Sequence, residues 1–162
     1  MKQPEDDSQQ DFDLDVVPIF FFSVDSDWKL PDEDRATSWL EALADQYEFR
    51  IEELNYIFTN DAKIQVMNRD HLGHDYATDI LTFDYSEPEE AALFSDVYIS
   101  VERVRENAVE YGCSFDEELH RVMAHGLLHL VGFDDVEDED KAAMREAENE
   151  ALDLLPPAEA TE

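Results

Sequence analysis

Ser114-Phe115-Asp116-Glu117 marks where a helix begins, and Gly132 marks where it ends. Ser followed three residues later by Glu is a capping box, which satisfies amides that the first turn leaves open. Between these limits Leu119, Val122, Met123, Leu127 and Leu130 recur at helical spacing, so one face of the helix must be buried. Such a face needs a surface to pack on. Residues 17–24, 53–59, 79–85 and 96–100 have the β-branched and aromatic content, or the period-two alternation, of strands. Residues 86–94 read as an acidic, Pro-containing loop.

Four more helices are expected. One starts at Pro31-Asp32-Glu33-Asp34 and carries Trp39, Leu40, Leu43 and Tyr47 on one face. A short one, capped by Asn60 or Asp61, carries Ile64 and Met67 and ends before Gly73. A third runs from Ser100 through Glu110 and stops near Gly112. The last spans residues 137–154 and is stopped by Pro156-Pro157. These elements predict an α+β fold: a single domain with a four-stranded mixed sheet packed with several helices. The His-bearing helix falls in its C-terminal half. The expected organisation is an acidic disordered leader over 1–15, one domain over 16–155 and a tail over 156–162. A chain of 162 residues suits one core.

Charge narrows the function. The chain has 43 Asp plus Glu against 11 Lys plus Arg, a net −32. That excludes a broad basic face for nucleic acid and a polybasic membrane contact. With 43% hydrophobic and 11% aromatic residues it is still a folding composition rather than a disordered one. An acidic surface of this kind suits molar internal salt, where the Debye length shrinks to about 3 Å and self-repulsion is screened. Cys113 is the only cysteine, which excludes an internal disulfide and a zinc–thiolate cluster. That fits a reducing cytoplasm. The start of the chain lacks the basic-then-apolar order of a secretory signal, and the apolar run 16–24 is too short to span a bilayer.

The chemistry concentrates in His125-Gly126-Leu127-Leu128-His129-Leu130-Val131-Gly132-Phe133-Asp134-Asp135. His125 and His129, four residues apart, project from one helix face. Gly132 can adopt a positive φ, end the helix and reverse the chain, bringing Asp135 back over both imidazoles. Two His and one carboxylate with an open fourth position is the donor set of a catalytic zinc, not a structural one. Such an ion lowers the pKa of bound water and polarises a phosphoryl or carbonyl oxygen. A lone His on an apolar helix is usually a core residue; this pair, with its Gly and carboxylate, is not so easily read that way. Asp134 falls one residue short for the third ligand. His120, about 140° around the helix from His125, reads as structural or as support behind the ligands.

The segment resembles the H-G-x-L-H-L-x-G-[YF]-D-H signature of the bacterial YbeY family, the rRNA maturation endoribonucleases. His125, Gly126, Leu128, His129, Leu130, Gly132, Phe133 and Asp134 match it. Upstream, Thr78-Asp79-Ile80-Leu81-Thr82-Phe83 resembles the family's T-[DN]-V-L-S-F strand. Asp96-Val97-Tyr98-Ile99-Ser100 resembles its G-D-I-x-I-S strand, and Met67-Asn68 its L-N pair. The likeness runs from about Ile51 to Leu155. It implies a single-strand-specific, metal-dependent endoribonuclease with one zinc ion held by three side chains. It further implies action on the 16S rRNA precursor, especially its 3′ end, in ribosome quality control at the small subunit. The expected location is the cytoplasm, with no membrane and no DNA partner.

Three positions depart from the family pattern. Asp135 stands where most members have His, which adds negative charge and should weaken the ion as a Lewis acid. Leu72 stands where many members carry an Arg, a natural phosphate binder. That role would pass to Arg69, His71 or His74, each of which also reads as a plain loop residue. Ser95 replaces a Gly. The general base and nucleophile are not assigned by the resemblance. Two alternatives remain open at this point. The spacing H-x3-H-x2-G-x2-D is that of metzincin-type zinc proteases, but those need a Glu after the first His, and Gly126 stands there. The other is a non-catalytic ribosome assembly factor.

Overall fold

A computed structural model of the chain describes residues 17–73 and 78–157. The expected leader, the last residues of the tail and His74 lie outside the described residues. The elements run β1 (Ile19–Ser23), α1 (Glu33–Gln46), β2 (Arg50–Thr59), α2 (Asp61–Leu72), β3 (Ile80–Asp84), β4 (Ala92–Ser100), α3 (Val101–Tyr111), α4 (Phe115–Leu130) and α5 (Asp138–Leu154). The four strands form one sheet in the order β1-β2-β4-β3. β1, β2 and β4 are parallel, and β3 returns antiparallel to β4. The α+β expectation holds.

Side-chain caps fix most helix starts. Asp32, Asn60, Ser100 and Ser114 each accept a hydrogen bond from the amide three residues on. Glu137 precedes α5 without one; three acids at 138–140 favour its positive end instead. β4 begins at Ala92, earlier than its alternation suggested, because Arg50 pairs with Ala92 and Ile51 with Leu93. The expected loop over 86–94 is therefore shorter.

Leu54, Tyr56, Phe58, Val97 and Ile99 alternate onto one sheet face and are fully buried there. α4 covers this face with Leu119, Met123 and Leu127; α1 adds Trp39, Leu40 and Leu43, and α5 adds Met144, Ala147 and Ala151. Each such Leu contributes roughly 1.5–3 kcal/mol by leaving water. Two buried polar groups pin the layers: the Tyr56 hydroxyl donates to the Met123 carbonyl at 2.9 Å, and the Trp39 indole to the Ala151 carbonyl at 2.8 Å. α2 lies against the opposite face, where the His71 ring meets Phe83 edge-on, 6.0 Å away.

α4 reaches the sheet closely because residue 126 is Gly. A Cβ there would stand 3.0 Å from Ile80 Cδ1 and 3.2 Å from Val97 Cγ1. The side chains that such a Cβ would meet belong to β3 and β4.

Candidate metal centre

α4 carries His125 and His129 one turn apart, with rings nearly parallel (10°) and centroids 6.4 Å apart. The helix ends at Leu130, and Gly132 takes a φ of +121°, a conformation that L side chains rarely adopt. The chain then reverses, and Asp135 Oδ2 comes to 3.3 Å from His125 Nε2. All three side chains line one cleft of about 650 Å³, with Asn68, Thr78, Asp79, Ile80, Leu81, Thr82 and Val136.

The ring nitrogens are already assigned by their partners. His129 Nδ1 donates to the Phe133 carbonyl at 2.9 Å, because a carbonyl can only accept. His125 Nδ1 donates to Glu148 Oε2 at 2.7 Å. Each imidazole thus keeps Nε2 for the cleft. Carboxylate or carbonyl support behind a His is the usual arrangement at metal sites. Among the described residues, no three His, Cys, Asp or Glu side chains stand close enough, as arranged, to hold an ion. His125 and Asp135 instead pair with each other.

Glu148, on α5, is buried and held by Arg121 at 3.1 Å and Arg145 at 3.6 Å. Burial alone would raise its carboxyl, but the bond to His125 and Arg121 prevail and hold it below the usual range. Burial opposes the charged form of His125, yet Glu148, Asp135 and Asp79 outweigh it and raise its pKa above the ordinary value. Three carboxylates around one imidazole make a place that favours positive charge. Asp79 is pushed up by burial, and Asn107 donates to it at 3.3 Å.

The other expected residues fall elsewhere. Arg69 is exposed and paired with Asp70 at 3.2 Å, and neither it nor His71 lines the cleft. His120 is buried, bonded to the Asp116 carbonyl at 2.8 Å and packed against Trp39. It is structural, and burial lowers its pKa. Glu148, Arg121 and Asp79 were missed from sequence. Nothing marks Glu148 among the acids of its helix until Arg121 is seen beside it. A Glu at position 126, as the protease pattern needs, would push into Ile80 and Val97.

No described helix is long and apolar enough to cross a membrane. The model of the family described as Endoribonuclease YbeY matches residues 25–156. A relative named Endoribonuclease YbeY from Cytophaga hutchinsonii is 44% identical over 136 residues, covering 84% of this chain and 94% of its own. One of the same name from Bacteroides thetaiotaomicron is 44% identical over 126 residues, covering 76% and 90%. The solution structure of TM1509 from Thermotoga maritima superposes with a TM-score of 0.60 at 26% identity, over 85% of this chain and 88% of that one. With most of its described length matched by that model and by these relatives, the chain belongs to the YbeY family.

Proposed function

We propose that the chain is a zinc-dependent endoribonuclease that hydrolyses single-stranded RNA. Its substrate is the 16S rRNA precursor, at the 3′ end, and it serves quality control of the small ribosomal subunit in the cytoplasm. The observation that carries this reading is the convergence of His125, His129 and Asp135 on one cleft, with both Nδ1 atoms tied back and His125 Nε2 facing the Asp135 carboxylate.

His125 Nε2, His129 Nε2 and the Asp135 carboxylate would hold one ion, an N, N, O donor set suited to zinc with a position left for water. The ion, when bound, supplies Lewis acidity and a water of lowered pKa. The chain does the rest. Glu148, kept ionised by Arg121, and the Phe133 carbonyl hold the rings in one tautomer and one orientation. Gly126 lets β3 lie against the His-bearing helix, so a strand of RNA along β3 passes the ligands. Ile80 and Leu81 give the cleft part of an apolar wall.

The test is cleavage of RNA carrying the 3′ region of the precursor, in molar KCl with zinc. The native chain is expected to cut single-stranded segments, and His129→Ala is expected not to. Equal cutting by that variant would overturn the site. Binding of the precursor without cutting would make the chain an assembly factor. Accumulation of precursor in a deletion strain places the role in the cell.

A further inference from the structure

The cleft presents a problem for any nuclease: none of its described lining residues is Lys or Arg, while Asp79 and Asp135 are acidic. Arg121 and Arg145 share a smaller pocket with Ile80 but are paired with Glu148, and Lys141 lines a pocket that includes no β3 residue, so phosphates lying along β3 need a further partner. β3 is the last strand in the order β1-β2-β4-β3, so among the described residues one of its edges has no neighbouring strand. The ladder phase says which groups face that way. The Ser100 amide donates to the Asp79 carbonyl at 3.0 Å and the Tyr85 amide to the Phe94 carbonyl at 2.8 Å. In an antiparallel pair the bonded residues alternate, so Leu81 and Phe83 also bond to β4, opposite Tyr98 and Asp96. The N–H and C=O groups of Ile80 and Thr82 therefore point away from β4. Their side chains contact the Gly126 position on one face, and α2 lies on the other. The free edge thus opens into the cleft that Ile80, Leu81 and Thr82 line.

We propose that the free-edge backbone of Ile80 and Thr82 is the sugar–phosphate binding rail of this site. The proposal rests on the endoribonuclease reading and adds how an acidic chain holds its substrate. The two N–H groups stand about 6.8 Å apart, two residues along a strand. They donate to phosphate oxygens of successive nucleotides, as sheet edges do for other anions. The Ile80 carbonyl between them and the Thr82 carbonyl beyond accept from 2′-hydroxyls, which alternate with phosphates along RNA and are absent from DNA. Neutral amides need no Lys or Arg and lose little strength in molar salt, where a Lys–phosphate attraction is screened. The rail reads no base, which suits an extended single strand. An extended peptide is the other ligand that a strand edge can take, and the test separates the two.

The ¹⁵N-labelled full chain is titrated in molar KCl with a short oligouridylate, without added metal so that the RNA stays intact. Separately, the amide of residue 82 is replaced by an ester, which removes the N–H and keeps the side chain. The Ile80 and Thr82 amide protons are expected to shift and to exchange more slowly on RNA binding, with Leu81 and Phe83 unmoved. The ester is expected to raise KM for RNA cleavage by zinc-loaded protein about tenfold, with kcat within about threefold. The oligodeoxyuridylate should shift the same amides less. Should the ester weaken the strand, the amide shifts of the native chain decide alone. RNA bound and cleaved with both amides unmoved overturns the rail and leaves the endoribonuclease reading standing. No RNA binding or cleavage overturns both. Shifts with an extended peptide and none with RNA make the edge a protein-binding one and overturn the proposal.

Discussion

Two clefts of nearly equal size share no lining residue, and they differ in what stands behind them. One, of about 620 Å³, lies beside β1 and is lined by Val17, Pro18, Ser38, Glu41, Arg50 and others. Its charged groups are solvated: Arg50 reaches Glu90 at 3.0 Å and Glu52 at 3.5 Å, with all three side chains about half exposed. The other, of about 650 Å³, lies along the free edge of β3. Behind His125 is Glu148, with 8% of its side chain exposed, and behind Glu148 is Arg121, with 16%. Size does not make a site. A polar network held out of water costs the desolvation of its charges, and that cost singles out this cleft as the candidate site.

The sharpest way to break this contrast is to truncate one residue in each cleft. His125→Ala is expected to lower RNA cleavage about a thousandfold, to background, by removing a proposed ion ligand. Ser38→Ala, in the other cleft, should leave the rate within about twofold. Equal losses would mean that the chemistry had been put in the wrong cleft.

Supporting groups come next. Glu148→Ala leaves His125 unanchored and the partly buried Arg121 without its carboxylate. Zinc affinity, read by chelator competition, should fall about 10- to 100-fold. Unfolding free energy should drop by about 3 kcal/mol in urea titrations. Glu90→Ala, beside the other cleft, should change stability by less than about 1 kcal/mol, because Arg50 is well solvated. A silent Glu148→Ala would reduce the buried network to ordinary packing.

Smaller still is the close approach of α4 to β3. Gly126→Val would thrust methyl groups into Ile80 and Val97 and should cost about 1–3 kcal/mol in thermal or denaturant unfolding. Ala42→Val, at an exposed position lining the β1 cleft, should cost under about 0.5 kcal/mol.

The smallest effect is a pH dependence of the metal-free chain. His125 has a raised pKa, so its stabilising share is complete below about pH 6.5 and is lost as pH rises through the folded value. Glu148 has a lowered pKa, so its share is present above about pH 4.5 and is lost as pH falls through the folded value. The pair therefore stabilises most between about pH 4.5 and 6.5. Glu148→Gln should flatten the melting-temperature profile across that window. An unchanged profile would detach the pair from stability.

The comparison also shows what a sequence discloses. Asp32, Asn60, Ser100 and Ser114 cap their helices as their local chemistry foretells, since a cap depends on residues three apart. His125 and His129 were legible for the same reason: helical spacing places both on one face. Asp135 was legible because Gly132 is free to turn. β4's start at Ala92 was not, because its hydrogen bonds go to β2, about forty residues away in the chain. Glu148 was hidden among its acidic neighbours, since only the fold puts Arg121 and His125 beside it. Arg69 stands outside the cleft, paired with its neighbour Asp70, a placement that its own stretch of sequence does not disclose. Local periodicity is written in the chain; partnership across elements is written in the fold.

The net charge of −32 gives the central claim its most direct test. Long-range repulsion between this surface and RNA is strong in dilute buffer and mostly screened in molar salt. Cleavage of single-stranded RNA should be measured with and without zinc as KCl rises from dilute to molar. The account predicts cleavage that requires zinc and grows severalfold with salt. Cleavage that is indifferent to zinc, or that falls steadily as KCl is added, would contradict it.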